Sequence, residues 1–296
     1  MIISMDQQLE EAPGGRSPRG LFIMDFDGTL LRSDRAFSDI DLDALEQLGE
    51  LGIIRTIATG RSLYSFNKAA VGDLPVDFVI FSMGAGVLQQ AGGKVVRRVS
   101  LEPHEVKRAC KILKTNRLDF MIHRTIPENH MFSYFRTNEG NDDFERRLKL
   151  YSRFAVPLDK ATDGFGPATQ LLAVVPNKVS HAVLEKVRGE LPDYSVIRTT
   201  SPLDGKATWI EIFPTAVSKS RTAAWLAAEL KIDNRKTVSV GNDYNDLDLL
   251  EWTANSYVVD NAPADLKKRF AGVASNNDGG VAQAARRSLE GPFSDG

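Results

Sequence analysis

Short apolar runs alternate with amphipathic segments along the first third of the chain. Residues 21–26 form an apolar run that ends in Asp-Gly, which is typical of a buried strand that stops at a turn. Residues 38–51 carry apolar side chains at helical spacing up to Gly52, and further strands are predicted at residues 53–58 and 77–81. Strands and helices that alternate with short turns predict a parallel sheet with helical crossovers.

The middle of the chain has a different pattern. Residues 87–90 and 94–99 flank a Gly-Gly pair and predict a β-hairpin, and further short strands and helices follow. Strands grouped in hairpins with a few helices are typical of an α+β unit. The alternating pattern resumes from residue 208, beginning with a predicted strand at residues 209–213.

These patterns predict an α/β fold with an insertion. The core is a doubly wound, Rossmann-like parallel sheet over residues 20–84 and 205–296, and residues 85–204 form an inserted α+β domain. Residues 1–19 hold an acidic pair, Gly-Gly and two prolines but no apolar core of a signal peptide, so a disordered tail is predicted. No apolar run has the length of a membrane span.

Composition excludes a few classes of function. The net charge of −2 gives no global field that would attract nucleic acid or an anionic membrane, so neither is an expected partner. The single cysteine, Cys110, excludes an intramolecular disulfide and suits a reducing compartment, and a cytoplasmic location is therefore expected.

Asp25 and Asp27 follow the first predicted strand, in the segment DFDGTL. Side chains alternate along an extended segment, so both carboxylates are predicted to project from one side, at the edge where open α/β sheets bind ligands. A Mg²⁺ ion would relieve their repulsion, and one carboxylate could attack phosphorus while the other handles the leaving-group proton. The alternatives are a solvated acidic turn or a calcium loop, although the downstream calcium-ligand spacing is absent.

Three further segments are predicted to reach the same edge. Thr59, in IATGR, offers a hydroxyl and a backbone N–H to a phosphate oxygen, although Thr-Gly also forms ordinary turns. Lys219 opens a helix capped by Ser218 and brings an ammonium group beside free N–H groups, with a solvated lysine as the alternative. The segment GNDYND at residues 241–246 concentrates metal-capable side chains after a buried strand, or is an ordinary helix start with acidic capping.

DFDGTLL, ATGR, VSKSRTAAWL and GNDYND occur in the order and spacing of the haloacid dehalogenase superfamily. The chain resembles its Cof-type (type IIB) phosphatases most, and WIEIFP and NNDGGVAQA also look like that subfamily. The resemblance implies that Asp25 is a nucleophile, and that Asp27 is an acid/base that also holds Mg²⁺ through its backbone carbonyl. The inserted domain corresponds to a cap that closes over the substrate.

The resemblance also implies a phosphate-binding group of residues. Thr59 and Lys219 match the family positions that bind the phosphate, and Gly60 and Asn245 are predicted to join them.

Two positions depart from the family pattern. The subfamily usually has Gly-Asp where this chain has Gly-Asn, so Asn242 is predicted to bind the metal through its amide oxygen. Asp246 would add negative charge directly or through a water molecule, and Asp243 is the alternative ligand. Met83 stands where Asn commonly precedes Gly-Ala. The dehalogenases themselves lack the second aspartate, so Asp27 favours phosphate chemistry over carbon–halogen cleavage.

The inserted domain has no clear functional motif, and only a few of its residues are candidates for a function. His123, Arg124, His130 and Arg136 are candidates for a substrate pocket or are exposed strand residues. Cys110 lies on the apolar side of a predicted helix and is interpreted as core packing.

The sequence therefore predicts a Mg²⁺-dependent phosphatase that hydrolyses a small phosphorylated metabolite through an aspartyl-phosphate. The expected substrate class is a sugar phosphate. A phosphosugar mutase, which returns the phosphoryl group, is the alternative enzyme. A catalytically weak binding or regulatory protein is the alternative outside the enzymes and is motivated by Asn242. Retention of Asp25, Asp27, Thr59 and Lys219 argues against that second alternative.

Overall fold

The computed structural model describes residues 2–4, 17–70, 72–137, 140–158, 166–176, 180–203 and 205–294. Numbered in chain order, its strands are β1 (Ile2–Ser4), β2 (Gly20–Met24), β3 (Ile53–Ala58), β4 (Phe78–Phe81), β5 (Gly86–Gln89), β6 (Lys94–Ser100), β7 (Asp119–His123), β8 (Phe132–Phe135), β9 (Ala155–Pro157), β10 (Gln170–Val175), β11 (Tyr194–Thr200), β12 (Thr208–Pro214), β13 (Thr237–Gly241), β14 (Asn255–Val259) and β15 (Ala271–Val273). Its α-helices are α1 (Asp39–Glu50), α2 (Leu63–Ala69), α3 (Pro103–Thr115), α4 (Asp142–Leu150), α5 (Ser180–Glu190), α6 (Lys219–Glu229), α7 (Leu247–Trp252), α8 (Ala264–Arg269) and α9 (Gly280–Glu290).

The chain divides into two compact units. The larger unit comprises residues 5–97 and 218–296, and the smaller unit comprises residues 1–4 and 98–217. No helix in the described part of the chain combines the length and the apolar character that crossing a bilayer requires.

The larger unit is built on a sheet in which the first part of β6 is followed by the strands β5-β4-β3-β2-β13-β14-β15. The pairs from β4 through β3, β2, β13 and β14 to β15 are parallel, whereas β5 is antiparallel to β4. Leu21 and Ile23 of β2 pack in one cluster with Ala223 and Leu226 of α6, while α1 and α9 pack against each other. The predicted doubly wound α/β core is confirmed.

The centre of this sheet determines where the chemistry lies. β2 lies between β3 and β13, with all three strands parallel. Asp25, Thr59 and Asn242 each come directly after the carboxyl end of one of these strands. Parallel strands bring their carboxyl ends to one edge of the sheet, so the three residues lie at a common edge.

The smaller unit has its own sheet, with the strand order β11-β12-β10-β7-β8-β9. Residues of α3 and α5 pack on one face in a cluster that includes Cys110, as the core-packing interpretation of this cysteine predicted. Phe144 and Leu148 of α4 pack in a separate cluster with Phe132 and Trp209.

Two predicted elements lie in a different sheet from the one expected. The hairpin of β5 and β6 extends the sheet of the larger unit, and β12 pairs antiparallel with β10 and β11 in the smaller unit. The units therefore divide after residues 97 and 217 instead of after residues 84 and 204. All residues of β12 are buried, and a continuous apolar run looks the same in a parallel and an antiparallel sheet.

The predicted tail over residues 1–19 contains a strand at its start. Ile2–Ser4 pair antiparallel with β6, which the polar composition of the segment did not indicate. Residue 1 and residues 5–16 of that prediction lie outside the described residues.

Candidate active site

Asp25 is the first residue after β2, and its carboxylate is buried. Its backbone N–H donates to the carbonyl oxygen of Val240 (2.9 Å), which extends the pairing between β2 and β13. Only 4% of Asp25 is exposed. The chain then turns at Gly28, whose φ of 77° strains residues that have a Cβ atom. The strand thus places one buried carboxylate at the edge of the sheet.

Lys219 is the first residue of α6, and its ammonium group joins two carboxylates. The hydroxyl of Ser218 accepts the backbone N–H of Arg221 (3.2 Å) and caps the helix. Lys219 Nζ donates to Oδ1 of Asp25 and to Oδ1 of Asp246, each at 2.6 Å, and its side chain is fully buried. The helix dipole disfavours a lysine in the first turn, but the two carboxylates offset that cost. Lys219 is therefore not the solvated lysine of the alternative interpretation.

Burial and neighbouring charges shift the pKa of Asp25 and the pKa of Lys219. Burial and then the charge of Asp246 raise the pKa of Asp25 to about 7, while Lys219 acts in the opposite direction. Burial disfavours the ammonium form of Lys219, but the carboxylates of Asp246 and Asp25 outweigh burial and raise the pKa of this lysine. One ammonium group between two carboxylates leaves excess negative charge in a buried place, which favours a cation close by.

The Asp246 carboxylate holds the segment that follows β13. Its Oδ2 accepts the backbone N–H of Asn242 (2.8 Å) and of Asp243 (3.1 Å), while its Oδ1 binds the ammonium group. Gly241 lies against this carboxylate, since a Cβ atom on the glycine would be 2.7 Å from Cβ of Asp246. Any larger residue there would displace the carboxylate and with it the segment.

The side chain of Asn242 reaches back to the loop after β2. One terminal atom of its amide lies 3.1 Å from Oδ2 of Asp25, 3.1 Å from the carbonyl oxygen of Asp27 and 3.3 Å from Oγ1 of Thr29. With nitrogen in that place, the amide donates hydrogen bonds to these oxygens. With oxygen in that place, it accepts from the Thr29 hydroxyl and faces two further oxygens. Adjacent ligands of an octahedral Mg²⁺ ion are about 3 Å apart, so the second orientation matches a magnesium site.

A carboxylate, a backbone carbonyl and an amide oxygen form the hard donor set that Mg²⁺ prefers. Across the described residues, His, Cys, Asp and Glu side chains form no metal-binding group of three. The candidate metal site is this mixed set of oxygens from Asp25, Asp27 and Asn242. Both oxygens of Asp246 have other partners. Asp243 accepts the N–H of Tyr244 (2.8 Å) at the start of a 3-10 helix. These contacts favour Asn242 over Asp243 and Asp246 as the direct ligand.

Thr59 follows β3 and offers fewer hydrogen-bond donors to a phosphate than the sequence indicated. Its backbone N–H donates to the carbonyl oxygen of Ile80 (2.8 Å) and continues the pairing of β3 with β4, so the prediction that this N–H binds phosphate is wrong. Its hydroxyl accepts the N–H of Arg61 (3.1 Å) and donates to no group in the described ranges, so the hydroxyl proton is available to a ligand. Gly60 is the next residue along the chain.

Two further predicted positions lie near this edge. Asn245 lies on the 3-10 helix Tyr244–Asp246, is partly buried, and makes no side-chain hydrogen bond within the described part of the chain. Met83 is fully buried at a φ of 56°, and its Cε would be 3.1 Å from a Cβ atom on Gly60. An apolar side chain therefore occupies the place where the family commonly has a polar one.

Arg61 is a candidate site residue that the sequence analysis missed. Its Nε and Nη2 donate to the two carboxylate oxygens of Asp27 (2.7 and 2.6 Å), and its Nη1 donates to the carbonyl oxygen of Ser65 (3.1 Å). The pair is separated by 34 positions, so spacing could not show it. The available signal was an arginine directly after Thr-Gly in ATGR. This bidentate ion pair fixes the orientation of a carboxylate that is 47% exposed.

Several known proteins that are similar to this chain are named as phosphatases. The sequence model of the haloacid dehalogenase-like hydrolases matches residues 22–284. The 5-amino-6-(5-phospho-D-ribitylamino)uracil phosphatase YwtE of Bacillus subtilis is 24% identical over 289 residues, which cover 91% of this chain and 98% of YwtE.

Two solved structures share the fold at 18% sequence identity. One is BT1666 from Bacteroides thetaiotaomicron, described among the phosphatases of the HAD superfamily, with a TM-score of 0.74 over 93% of this chain and 97% of that chain. The other is the HAD subclass IIB sugar phosphatase BT4131, with a TM-score of 0.68 over 90% of this chain and 98% of that chain. At this level of identity the likeness is one of fold.

Proposed function

This chain belongs to the haloacid dehalogenase-like hydrolases, and we propose that it is a Mg²⁺-dependent phosphatase that hydrolyses a small phosphorylated metabolite. Relatives that match it along nearly their whole length are named as phosphatases, which supports hydrolysis of phosphoric monoesters. The observation that carries the proposal is the buried carboxylate of Asp25. One of its oxygens binds Lys219, and the other lies 3.1 Å from the amide of Asn242.

Asp25 is the nucleophile in the proposed reaction. Asp27 enters this step protonated on one oxygen, which Arg61 has released. The carboxylate of Asp25 attacks the phosphorus atom, the bond from phosphorus to the leaving oxygen breaks, and that oxygen takes the Asp27 proton. Asp27 then removes a proton from water as the water oxygen attacks the aspartyl-phosphate. The phosphorus–Asp25 bond breaks, inorganic phosphate leaves, and both carboxylates return to their starting state.

Positive groups and hydrogen-bond donors would hold the phosphoryl oxygens. We propose that the Thr59 hydroxyl, the Gly60 N–H and the Asn245 amide bind them, while Lys219 orients the nucleophile. A bound Mg²⁺ would be held by Asp25, the Asp27 carbonyl and the Asn242 amide oxygen, and it supplies positive charge to the phosphoryl group.

A sugar phosphate is the proposed substrate class, and the smaller unit is proposed to determine the substrate preference. YwtE is named for a phosphorylated ribitylamino compound and BT4131 as a sugar phosphatase, which supports this class. Release of inorganic phosphate from such esters tests the proposal, because a phosphosugar mutase would return an isomeric ester instead.

Asn242→Asp is expected to tighten Mg²⁺ binding by about tenfold or more, because a carboxylate is a stronger Mg²⁺ ligand than an amide. Without Mg²⁺ the same change is expected to lower the melting temperature, since it places a carboxylate where the amide now lies 3.1 Å from Oδ2 of Asp25. Calorimetric Mg²⁺ titration and melting curves in EDTA and in Mg²⁺ measure the two effects.

Neighbouring variants distinguish the ligand from its supports. Asn242→Ala and Asp246→Ala are expected to raise the Mg²⁺ requirement sharply, the second because it releases the segment that carries Asn242. Asp243→Ala is expected to weaken mainly the start of the 3-10 helix. Loss of metal dependence in Asp243→Ala together with a silent Asn242→Ala would assign the ligand role to Asp243.

Arg61→Met is expected to lower kcat for alkyl phosphates by about 10- to 100-fold, because it frees the Asp27 carboxylate to rotate away from the leaving oxygen. The loss should be much smaller for p-nitrophenyl phosphate, whose leaving group departs without a proton. Steady-state kinetics with both esters measure this difference.

Arg286→Met removes an exposed arginine on α9 and serves as the control. Arg61→Lys should recover only part of the rate, since an ammonium group cannot reproduce the bidentate pair. An equal loss with both esters would show that Arg61 acts on something other than proton transfer by Asp27.

A further inference from the structure

The guanidinium group of Arg147, in α4, lies close to three aromatic rings. Its Cζ lies 4.4 Å from the ring centre of Trp209, 5.1 Å from that of Tyr151 and 6.0 Å from that of Phe132. Its guanidinium makes no hydrogen bond and no ion pair with any residue that the structure describes, and its Nε is buried. Arg147 as a whole is partly exposed, so the other N–H groups of the guanidinium can reach water, but a buried donor such as Nε–H is costly without an acceptor. The fold therefore holds one buried N–H donor that no described residue accepts from.

Two carboxylates lie close enough to affect the pKa of Arg147, yet other groups bind both of them. Burial lowers the pKa of Arg147, whereas Glu211 and Asp143 act in the opposite direction. Neutral donors already bind these carboxylates: Trp209 Nε1 (2.7 Å) and Ser201 Oγ (2.9 Å) on Asp143, and Thr199 Oγ1 (2.8 Å) and Gln170 Nε2 (3.2 Å) on Glu211. The charge of Arg147 is thus balanced through space, while its buried Nε–H remains without an acceptor among the described residues.

His123 at the end of β7 provides the complementary group, a buried acceptor. Its Nδ1 lies 2.8 Å from the carbonyl oxygen of Asn129, and because a carbonyl only accepts, Nδ1 carries the proton and Nε2 has the lone pair. Nε2 is buried and has no partner among the described residues. Burial and then the charge of Arg147 lower the pKa of His123 to about 3, so the ring is neutral.

His123 and Arg147 share one face of the sheet. His123 lies opposite Phe132 in the pairing of β7 with β8, so both rings project on the same side, with their centres 5.0 Å apart. Phe132 is also one of the rings that frame Arg147. Phe132 and Trp209 belong to the cluster formed with α4, which is distinct from the cluster formed with α3 and α5. The Nε–H donor of Arg147 and the Nε2 acceptor of His123, which have no partners within the described residues, thus lie against the same aromatic ring, that of Phe132.

We propose that His123, Arg147, Phe132 and Trp209 form a binding site for an uncharged, hydroxyl-bearing group, such as the polyol or sugar part of a phosphate ester. A hydroxyl accepts from the guanidinium and donates to the imidazole nitrogen, and the rings can cover the C–H groups of the chain. A carboxylate or a phosphate would satisfy the guanidinium, but it would face the lone pair of His123 and stand near two further carboxylates. As a substrate site, it rests on the proposed phosphatase function.

The test uses the full chain and two readouts. Xylitol, which carries hydroxyls and no charge, is titrated into wild type and Arg147→Met by ligand-observed NMR, and binding is expected to weaken by about tenfold or more. The ratio of kcat/KM for xylitol 5-phosphate to that for p-nitrophenyl phosphate is expected to fall by a similar factor. Arg146→Met removes the exposed neighbour on α4 and should change neither quantity. His123→Phe keeps an aromatic ring and removes the acceptor, and its melting curve reports whether the fold is kept.

The outcomes separate this site from the phosphatase proposal. If Arg147→Met changes neither xylitol binding nor the ratio of the two kcat/KM values, the cluster holds water only and the proposal is wrong. The same conclusion follows if wild type does not bind xylitol. A preference for esters with a second anionic group that Arg147→Met abolishes would make the cluster an anion site and would also overturn the proposal. Arg147-dependent xylitol binding without phosphate release from any ester would support the site and refute the phosphatase function.

Discussion

Asp25→Asn is expected to abolish phosphate release, with a loss of at least about 10³-fold, because an amide is not a competent nucleophile toward phosphorus. The protein should remain folded. Two buried carboxylates share the ammonium group of Lys219, and the change removes one of these two negative charges without changing the size of the side chain. Rates of phosphate release and melting curves measure the two parts of this expectation.

The same chemical change at an exposed position is the control. Asp39→Asn in the first turn of α1 should leave the rate unchanged. Beryllium fluoride, which mimics an aspartyl-phosphate, should inhibit wild type and should not bind Asp25→Asn. Substantial phosphate release by Asp25→Asn would refute the covalent mechanism.

Lys219→Met is expected to reduce both stability and activity. It leaves the buried carboxylates of Asp25 and Asp246 without their cation, and breaking a buried ion pair in this way costs about 3–5 kcal/mol of unfolding free energy. Phosphate release should fall by about 10²-fold or more, because the nucleophile loses the group that orients it. Denaturant unfolding and steady-state kinetics measure these losses.

A second substitution tests whether the loss of stability comes from the unpaired negative charges or from the change in the shape of the Lys219 side chain. In Lys219→Met combined with Asp246→Asn, one orphaned charge is gone, so stability should recover in part while activity stays low. Lys268→Met, at an exposed position in α8, is the control. A single Lys219→Met variant as stable as wild type would show that the three-charge cluster does not stabilise the larger unit.

The arrangement of the sheet in the larger unit was predictable because its strands combine two sequence signals, their composition and the residues at which they end. β2 is an apolar run and β3 and β13 are rich in β-branched residues, and each strand ends at polar residues or glycine that do not continue the pattern. Parallel strands bring such ends to one edge, so Asp25, Thr59 and the segment after Gly241 could be placed together without a structure.

The sheet to which a buried strand belongs was not predictable in the same way. β12 is buried along its whole length, and its two antiparallel neighbours are β11, which precedes it directly, and β10, which lies further back in the sequence. Pairing depends on tertiary context that an apolar run does not carry. The hairpin of β5 and β6 was recognised as a hairpin, but its own pattern does not say which sheet it extends.

The side-chain contacts of the site could not be predicted from the sequence. The pair of Arg61 with Asp27 and the hydrogen bond from the Thr59 N–H to Ile80 join residues whose sequence positions give no sign of contact. Arg147 belongs to the charged helix DDFERRLKL, where it cannot be told from its exposed neighbour Arg146. Only the packing of α4 on the sheet shows which arginine lies among the aromatic rings.

The most direct test of the proposed function measures inorganic phosphate released by wild type from a panel of small phosphorylated metabolites, in Mg²⁺ and in EDTA. We expect release from at least one sugar or polyol phosphate in Mg²⁺, its loss in EDTA, and its return when Mg²⁺ is restored. Conversion of an ester to its isomer without release would identify a mutase. No release from any ester in Mg²⁺, by a protein that is folded, would contradict the assignment of Asp25, Asp27 and Lys219 to phosphate hydrolysis.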